Sequence, residues 1–266
     1  MSTSYISLST LQVAMAGLLI LASGILGLFL KLRITKPLYI AGLRTTFQLL
    51  GMGLVLQWVF KSHSIVAVIL MMLAMTLVAA WTTTERSARP FPGILLNSVT
   101  AIGISSWSLL LFASVLILRI PSWSNPQYVI PLLGMILGNS LNGICLAIDR
   151  FTEELFSKKD QVELSLALGA TSWEAARPAL VAAIRTGTLP IINSMAVAGV
   201  VSLPGMMTGQ LIAGVNPLEA VKYQIVIMFL IATSTILGTL IVSLLGFRNL
   251  FNSWQQFEYW KVGKKR

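Results

Sequence analysis

The residue types that usually carry catalysis or metal binding are scarce in this chain. It has one histidine, His63, and one cysteine, Cys145, too few for an imidazole cluster, a disulfide framework or a cysteine-rich metal site. A Gly-rich phosphate loop ending in Gly-Lys-Ser/Thr is also missing from the sequence, so we expect no ATPase site and no bound cofactor. The long uncharged stretches contain no Asp or Glu, which disfavours a self-sufficient proton-driven transporter. The sequence therefore predicts neither an enzyme nor a resident metal.

The densest charge in the sequence lies in residues 149–185, which hold 11 of the 28 charged residues. Good helix formers precede Gly169, and a glycine in that place is typical of a helix end. Thr171 and Glu174 have the spacing of a capping box, which predicts the start of a second helix. The sequence thus predicts a helix, a tight turn and a second helix at the cytoplasmic membrane face, within a coupling element of residues 149–189.

Such an element is suited to receive energy from a partner protein by contact. Glu163 would offer a charge to basic groups of the partner, while Leu164 and Leu168 would seat in its groove. The arrangement resembles the coupling loop of ABC-importer permeases, and an ordinary amphipathic interfacial helix is the alternative interpretation. The predicted partner-coupling residues are Glu163, Leu164, Leu168, Gly169, Ala170, Trp173 and Glu174.

A second set of polar and thioether side chains falls within the apolar stretches. Pro204-Gly205 precedes the run from Met206 to Gln210, an interruption of the kind that unwinds a helix where it lines a cavity. We interpret this run as an outer gate and predict no metal site. The residues predicted to line a translocation path or gate are Arg44, Gln48, Asn139, Asn193, Met206, Met207 and Gln210.

The elements that position these residues are apolar helices. Of the 266 residues, 56% are hydrophobic and 11% charged, whereas soluble domains carry about 25% charge. Each uncharged run is long enough for a membrane helix, provided that the second begins near Pro37. We predict an all-α polytopic membrane protein, a single permease domain of residues 1–266 with seven transmembrane helices, in which Gly134 and Gly138 have helix-packing spacing. The uncharged runs are 1–30, 45–60, 62–84, 90–118, 120–148, 186–218 and 223–247.

The basic residues predict the orientation. With the N-terminus outside, 16 of the 19 Lys and Arg residues lie in cytoplasmic segments, and basic loops stay in the cytoplasm. We therefore predict an N-out, C-in topology, with the tail from Lys264 to Arg266 anchored at anionic membrane lipid. The basic residues lie in short runs between apolar stretches, which excludes a nucleic-acid binder.

Four segments together resemble a known family, the FetB family, which is the membrane permease subunit of bacterial Fet-type ABC iron exporters. Plant aluminium-tolerance half-transporters are similar. The resemblance implies a multi-pass protein of the bacterial inner (plasma) membrane that exports iron. It also implies a separate FetA-like ATP-binding cassette subunit that hydrolyses the ATP, and a homodimer of permeases in a two-plus-two complex. The segments are GLRTTFQLL at 42–50, PLLGMILGNS at 131–140, residues 163–190, and SLPGMMTGQ at 202–210.

Two alternatives stay open at this point. The first is an ABC permease for another cargo, such as a sugar nucleotide. A polyanionic cargo of this kind would need several basic residues facing the path, and only Arg44 is available. A non-transporting membrane scaffold or receptor would use residues 149–185 to recruit a cytoplasmic protein. The direction of transport is open too, because the coupling loop resembles those of importers while the family resemblance implies export.

Overall fold

The computed structural model describes residues 9–32, 34–62, 64–119 and 126–263. Within these ranges the chain is almost entirely helical and forms no β-strand, which confirms the predicted all-α class. His63 and the basic tail from Lys264 to Arg266 lie outside the described residues. The α-helices are α1 (Thr10–Phe29), α2 (Thr35–Ser62), α3 (Ile65–Arg86), α4 (Ile94–Phe112), α5 (Pro126–Ser157), α6 (Lys159–Ala167), α7 (Ser172–Val197), α8 (Gly205–Ile212) and α9 (Pro217–Leu250).

Seven helices of the described chain are long and apolar enough to cross a membrane, which confirms the predicted number of spans. They are α1, α2, α3, α5, α7, α9, and α4 with the π-helical segment Ala113–Ile117 that continues it. α2 begins at Thr35, close to the predicted start at Pro37. The short helices α6 and α8 flank α7 at its two ends. The N-out, C-in orientation stays a prediction, because helix length and composition do not distinguish the two sides of a membrane.

The chain divides into two compact units. The first comprises the residues up to Ser64 together with Ile212–Gly214, and the second comprises residues 65–211 and 215 onward. The candidate sites described below lie in the second unit, apart from two exposed side chains on α2. The single permease domain of residues 1–266 stays a prediction.

The first unit is a helical hairpin of α1 and α2. Its helices approach closely at Gly24, where a Cβ atom would overlap the ring of Tyr39. Two side chains of α2 bridge to carbonyl groups of α1: the Tyr39 hydroxyl donates to Leu21 at 3.0 Å, and the Thr35 hydroxyl donates to Gly24 at 3.1 Å. A small residue and two side-chain hydrogen bonds thus join a pair of otherwise apolar helices.

Helices α5, α7 and α9 form the centre of the second unit and cross where side chains are missing or small. A Cβ atom on Gly187 would lie 2.6 Å from the carbonyl oxygen of Gly143, and its nearest α9 neighbour would be the Thr239 methyl at 2.7 Å. Only glycine allows α5 and α7 to come this close. The predicted spacing of Gly134 and Gly138 is not used at this crossing. A Cβ on Gly134 would lie 3.2 Å from the methyl group of Met75 on α3, and a Cβ on Gly138 would meet nothing within 4 Å in this chain.

Candidate functional site

The turn between α6 and α7 follows the signals in the sequence. Gly169 has a φ of 94°, a left-handed conformation that glycine adopts readily, and the Ala170 amide donates to the Ser165 carbonyl at 3.0 Å. Thr171 caps α7: its hydroxyl accepts from the Glu174 amide at 3.2 Å, while the Glu174 carboxylate accepts from the Thr171 amide at 2.8 Å. The predicted helix end and the predicted capping box are both confirmed.

The predicted apolar coupling side chains lie on the surface beside this turn. Leu164 is 61% exposed and Leu168 is 80% exposed, and Glu163 on the same short helix is exposed as well. Complete burial of a leucine side chain stabilises a complex or a fold by about 1.5–3 kcal/mol. The surface therefore offers apolar area to a partner, and the contact itself stays a prediction.

The first part of the predicted coupling element differs from the expectation of a separate loop. Residues 149–157 continue α5 without a break, in a helix of 32 residues. Asp149 accepts a hydrogen bond from the Ala88 amide at 2.8 Å, and Glu153 pairs with Arg89 at 2.9 Å. The charges that suggested a loop fasten the α3–α4 connection to the end of α5 instead.

The chain after α9 packs beside the turn. The side-chain oxygen of Gln255 accepts a hydrogen bond from the Ser172 amide at 2.5 Å, which ties residues 251–263 to the first turn of α7. A groove of about 440 Å³ lies between this segment and α6. We call α6, the Gly169 turn, the first turn of α7 and residues 251–263 the turn surface. The groove is lined by Glu163, Leu166, Ala170, Trp254, Tyr259 and Trp260, with Gln255, Gln256 and Phe257.

A row of aromatic rings runs from the first turn of α7 past the end of α9 and along residues 251–263. Neighbouring ring centroids are 5.1–6.5 Å apart, and each such pair contributes about 0.5–1.5 kcal/mol beyond the burial of its area. Trp173 is predicted from the sequence and the other rings are not, although the aromatic residues between Phe247 and Trp260 are a visible signal. The rings belong, in order of contact, to Trp173, Phe247, Phe251, Phe257, Tyr259 and Trp260.

The other end of α7 is irregular. The helix stops at Val197, and Gly199 follows with a φ of 83° and an amide that donates to the Ser202 carbonyl at 2.8 Å. The predicted interruption is therefore present, but it comes before Pro204-Gly205. As a result, the run from Met206 to Gln210 lies on the separate helix α8 and not on the sixth span.

A cavity of about 530 Å³ opens where α7, α8 and α9 meet. Met195, Met207 and Met228 line it, one from each helix, together with Gln224. The Oε1 atom of Gln224 is buried and has no hydrogen-bond partner among the described residues, and the same is true of Gln210 on α8. We call this space the methionine cavity. Of its three methionines, only Met207 is predicted from the sequence, because the other two are distant in the sequence.

Comparison with known proteins agrees with this architecture. The family model described as Uncharacterised protein family (UPF0014) matches residues 10–251. The chain belongs to the UPF0014 family. No solved structure matches it.

Three relatives illustrate the range of the family. A UPF0014 membrane protein of Synechocystis sp. is 40% identical over 225 residues, which are 85% of this chain and 87% of the relative. The Probable iron export permease protein FetB of Escherichia coli is 32% identical over 238 residues, 88% and 89% of the two chains. The Protein ALUMINUM SENSITIVE 3 of Arabidopsis thaliana is 32% identical over 185 residues, 70% and 66%. The resemblance to FetB is confirmed, and the chain is a multi-pass integral protein of the inner membrane.

The remaining residues predicted for the path of this UPF0014 protein lie on the surface of the single chain. Arg44 and Gln48 are exposed on α2, Asn139 on α5 and Asn193 on α7. The Asn139 amide nitrogen donates to the Met135 carbonyl of its own helix at 2.9 Å. Their part in a path, like that of Met206, Met207 and Gln210, stays a prediction.

Carboxylate, imidazole and thiol ligands do not gather in the described part of the chain. No group of three or more His, Cys, Asp or Glu side chains there is arranged to hold a metal ion.

Proposed function

We propose that this UPF0014 protein is the membrane permease subunit of an ABC exporter that moves iron out of the cell. The similarity to a probable iron export permease, over 88% of this chain, supports the proposal. Since the sequence contains no phosphate-binding loop, a separate FetA-like subunit hydrolyses the ATP. The permease itself binds no cofactor and performs no catalysis. The single observation that carries the proposal is this similarity, and the exposed turn surface supports the docking of the ATP-binding subunit.

The ATP-binding subunit docks on the turn surface. Leu164 on α6 and Leu168 directly after it supply exposed apolar area. Glu163 places a carboxylate at a groove that is also lined by aromatic side chains. A basic side chain of the partner would meet both the carboxylate and the faces of Trp254 and Trp260, which attract cations. The partner surface is thus an apolar groove with a basic group at its edge.

Helix α7 transmits the movement of the docked subunit. Its 26 residues extend over about 39 Å, from the Gly169 turn to the methionine cavity. The close crossing of Gly143 and Gly187 fixes its middle against α5. A tilt imposed at one end of a helix held in this way displaces the opposite end, where the cavity lies.

Two permeases assemble with two ATP-binding subunits. Arg44, Gln48, Asn139 and Asn193 are exposed on the single chain, yet all four belong to helices of membrane-spanning length. Polar groups in contact with lipid tails are unfavourable. A second permease copy, with a hydrated path between the copies, provides surroundings in which these side chains are solvated or paired.

Transport of labelled ferrous iron into inverted membrane vesicles tests this function. We expect ATP-dependent iron accumulation in vesicles that contain the permease and its ATP-binding subunit. Vesicles with either subunit alone, or with a non-hydrolysable ATP analogue, serve as controls and should accumulate none.

Two outcomes would contradict the proposal in different ways. ATP-dependent accumulation of a sugar nucleotide without iron would replace the cargo and keep the permease. Binding of the ATP-binding subunit without transport of either cargo would indicate a scaffold or receptor.

A further inference from the structure

Three methionine side chains converge on one cavity from three helices. Met195 lies in the last turn of α7, Met207 in α8, and Met228 in the first third of α9. Met195 and Met228 are far apart in sequence and meet only because α7 and α9 flank the same space. Thioethers that converge from separate helices are the arrangement from which a protein can build a sulfur-only coordination site.

These methionines differ from those that fill the protein core. Met72, for example, is only 1% exposed and packs among its neighbours on α3. Met195, Met207 and Met228 instead border about 530 Å³ of open space. Their side chains therefore border space that a small ligand can enter.

Two properties of the cavity lining indicate which ligand it can bind: the lack of charged side chains and the softness of the thioether donors. No Asp, Glu, His or Cys side chain lines the methionine cavity, so the protein supplies no negative charge there. The free energy needed to remove an ion from water rises with the square of its charge. Desolvation of a divalent ion therefore costs about four times as much as that of a monovalent ion of the same size. Thioethers are soft donors that favour Cu(I) among the biological metals, and Ag(I) shares its charge and softness.

We propose that the methionine cavity binds a soft monovalent metal ion, Cu(I) or Ag(I), through the thioethers of Met195, Met207 and Met228. This site does not depend on the proposed export of iron, because ferrous iron prefers nitrogen and oxygen ligands. It gives the permease a ligand-binding position at the end of α7 remote from the turn surface.

Equilibrium binding of Ag(I) to the purified full-length permease in detergent tests the site, without any ATP-binding subunit. All proteins carry Cys145→Ala, because a thiol would bind Ag(I) by itself. We expect saturable binding of one ion per chain. The variant with Met195→Leu, Met207→Leu and Met228→Leu keeps the apolar volume and removes the sulfur atoms. Its affinity should fall by more than about 100-fold, because even outer-shell partners of metal ligands contribute roughly 10- to 100-fold.

The matched control removes three sulfur atoms elsewhere. Met71→Leu, Met72→Leu and Met75→Leu together change the packing of α3 and should leave Ag(I) affinity unchanged. X-ray absorption at the bound silver should report sulfur neighbours in the parent protein and lose them in the cavity triple variant.

Two results would overturn the site. The first is a parent protein that binds no Ag(I) saturably, and the second is a cavity triple variant that binds it as tightly as the α3 control. Because these measurements use the permease alone and no iron, their failure would leave the proposed iron export to be decided by the vesicle assay. Failure of iron transport would likewise leave silver binding intact.

Discussion

The two ends of α7 are built from different interactions. At the turn surface, a capping box, side-chain hydrogen bonds and a row of aromatic rings hold the chain in one shape. At the methionine cavity, a backbone turn around Gly199 and thioether side chains surround open space. This difference indicates that one end of α7 presents a fixed shape to a partner protein, while the other end leaves room for a small ligand.

The largest expected effect concerns which end faces the cytoplasm. A reporter fused after Arg266 should be active only in the cytoplasm, and Lys61 should react with an impermeant amine reagent added outside, because 16 of 19 basic residues lie on the predicted inner side. That outcome would place the turn surface inside, where an ATP-binding subunit can reach it. A reporter and a reactive Lys61 on the same side would refute the seven-span topology.

The next effect concerns the crossing that joins the two ends. In Gly187→Leu the new Cβ would lie 2.6 Å from the Gly143 carbonyl oxygen. The variant should therefore destabilise the folded permease by about 1–3 kcal/mol or more, since this is the usual range for overpacking. Thermal unfolding in detergent measures the effect. Gly138→Leu is the control, since a Cβ there meets nothing within 4 Å in this chain, and equal stability loss in both variants would argue against the crossing.

A smaller and more selective effect is expected at the cavity end. Gln210→Ala should lower iron transport and leave assembly with the ATP-binding subunit intact, because the buried oxygen that it removes has no hydrogen-bond partner among the described residues. Vesicle transport and co-purification measure the two properties separately. Normal transport in the variant would contradict the gate, and loss of assembly would show that α8 is a structural element.

The smallest effect is expected for Glu163→Gln on the turn surface. The side chain is exposed, and a solvent-screened ion pair with a partner contributes about 1 kcal/mol or less. The affinity for the ATP-binding subunit, measured by titration in detergent, should therefore fall by less than about tenfold. Complete loss of binding would instead indicate that Glu163 becomes buried and paired in the complex.

The features that sequence predicted are those fixed by neighbouring residues. Seven spans follow from the lengths of the apolar runs, and the Gly169 turn follows from a glycine beside the capping pair Thr171 and Glu174. These signals work because backbone hydrogen bonding in lipid and helix capping are local constraints.

The features that sequence missed depend on contacts between distant segments. The crossing joins Gly143 to Gly187 although Gly134 and Gly138 have the recognisable spacing, and Met195 and Met228 share a cavity without any common motif. The charges of residues 149–157 resembled a loop, because composition alone does not reveal that Glu153 meets Arg89 of another connection. Prediction of any of these features would have required knowledge of which helices face each other.

Two matched glycines allow the different roles of the two ends of α7 to be tested directly. Gly169 at the turn surface and Gly199 at the cavity end have φ angles of 94° and 83°, and an added Cβ would meet nothing within 4 Å at either position. Leucine at either position therefore introduces the same kind of backbone strain, about 1–2 kcal/mol, without a steric clash. The two variants differ only in the end of α7 that they disturb.

The decisive measurement is co-purification with the ATP-binding subunit together with iron transport in inverted vesicles, for Gly169→Leu and Gly199→Leu beside the unaltered chain. We expect Gly169→Leu to lose both the bound subunit and transport, because the turn that presents α6 is displaced. Gly199→Leu should retain the bound subunit and lose transport. Normal docking in Gly169→Leu, or lost docking in Gly199→Leu, would contradict the assignment of partner binding to the turn surface.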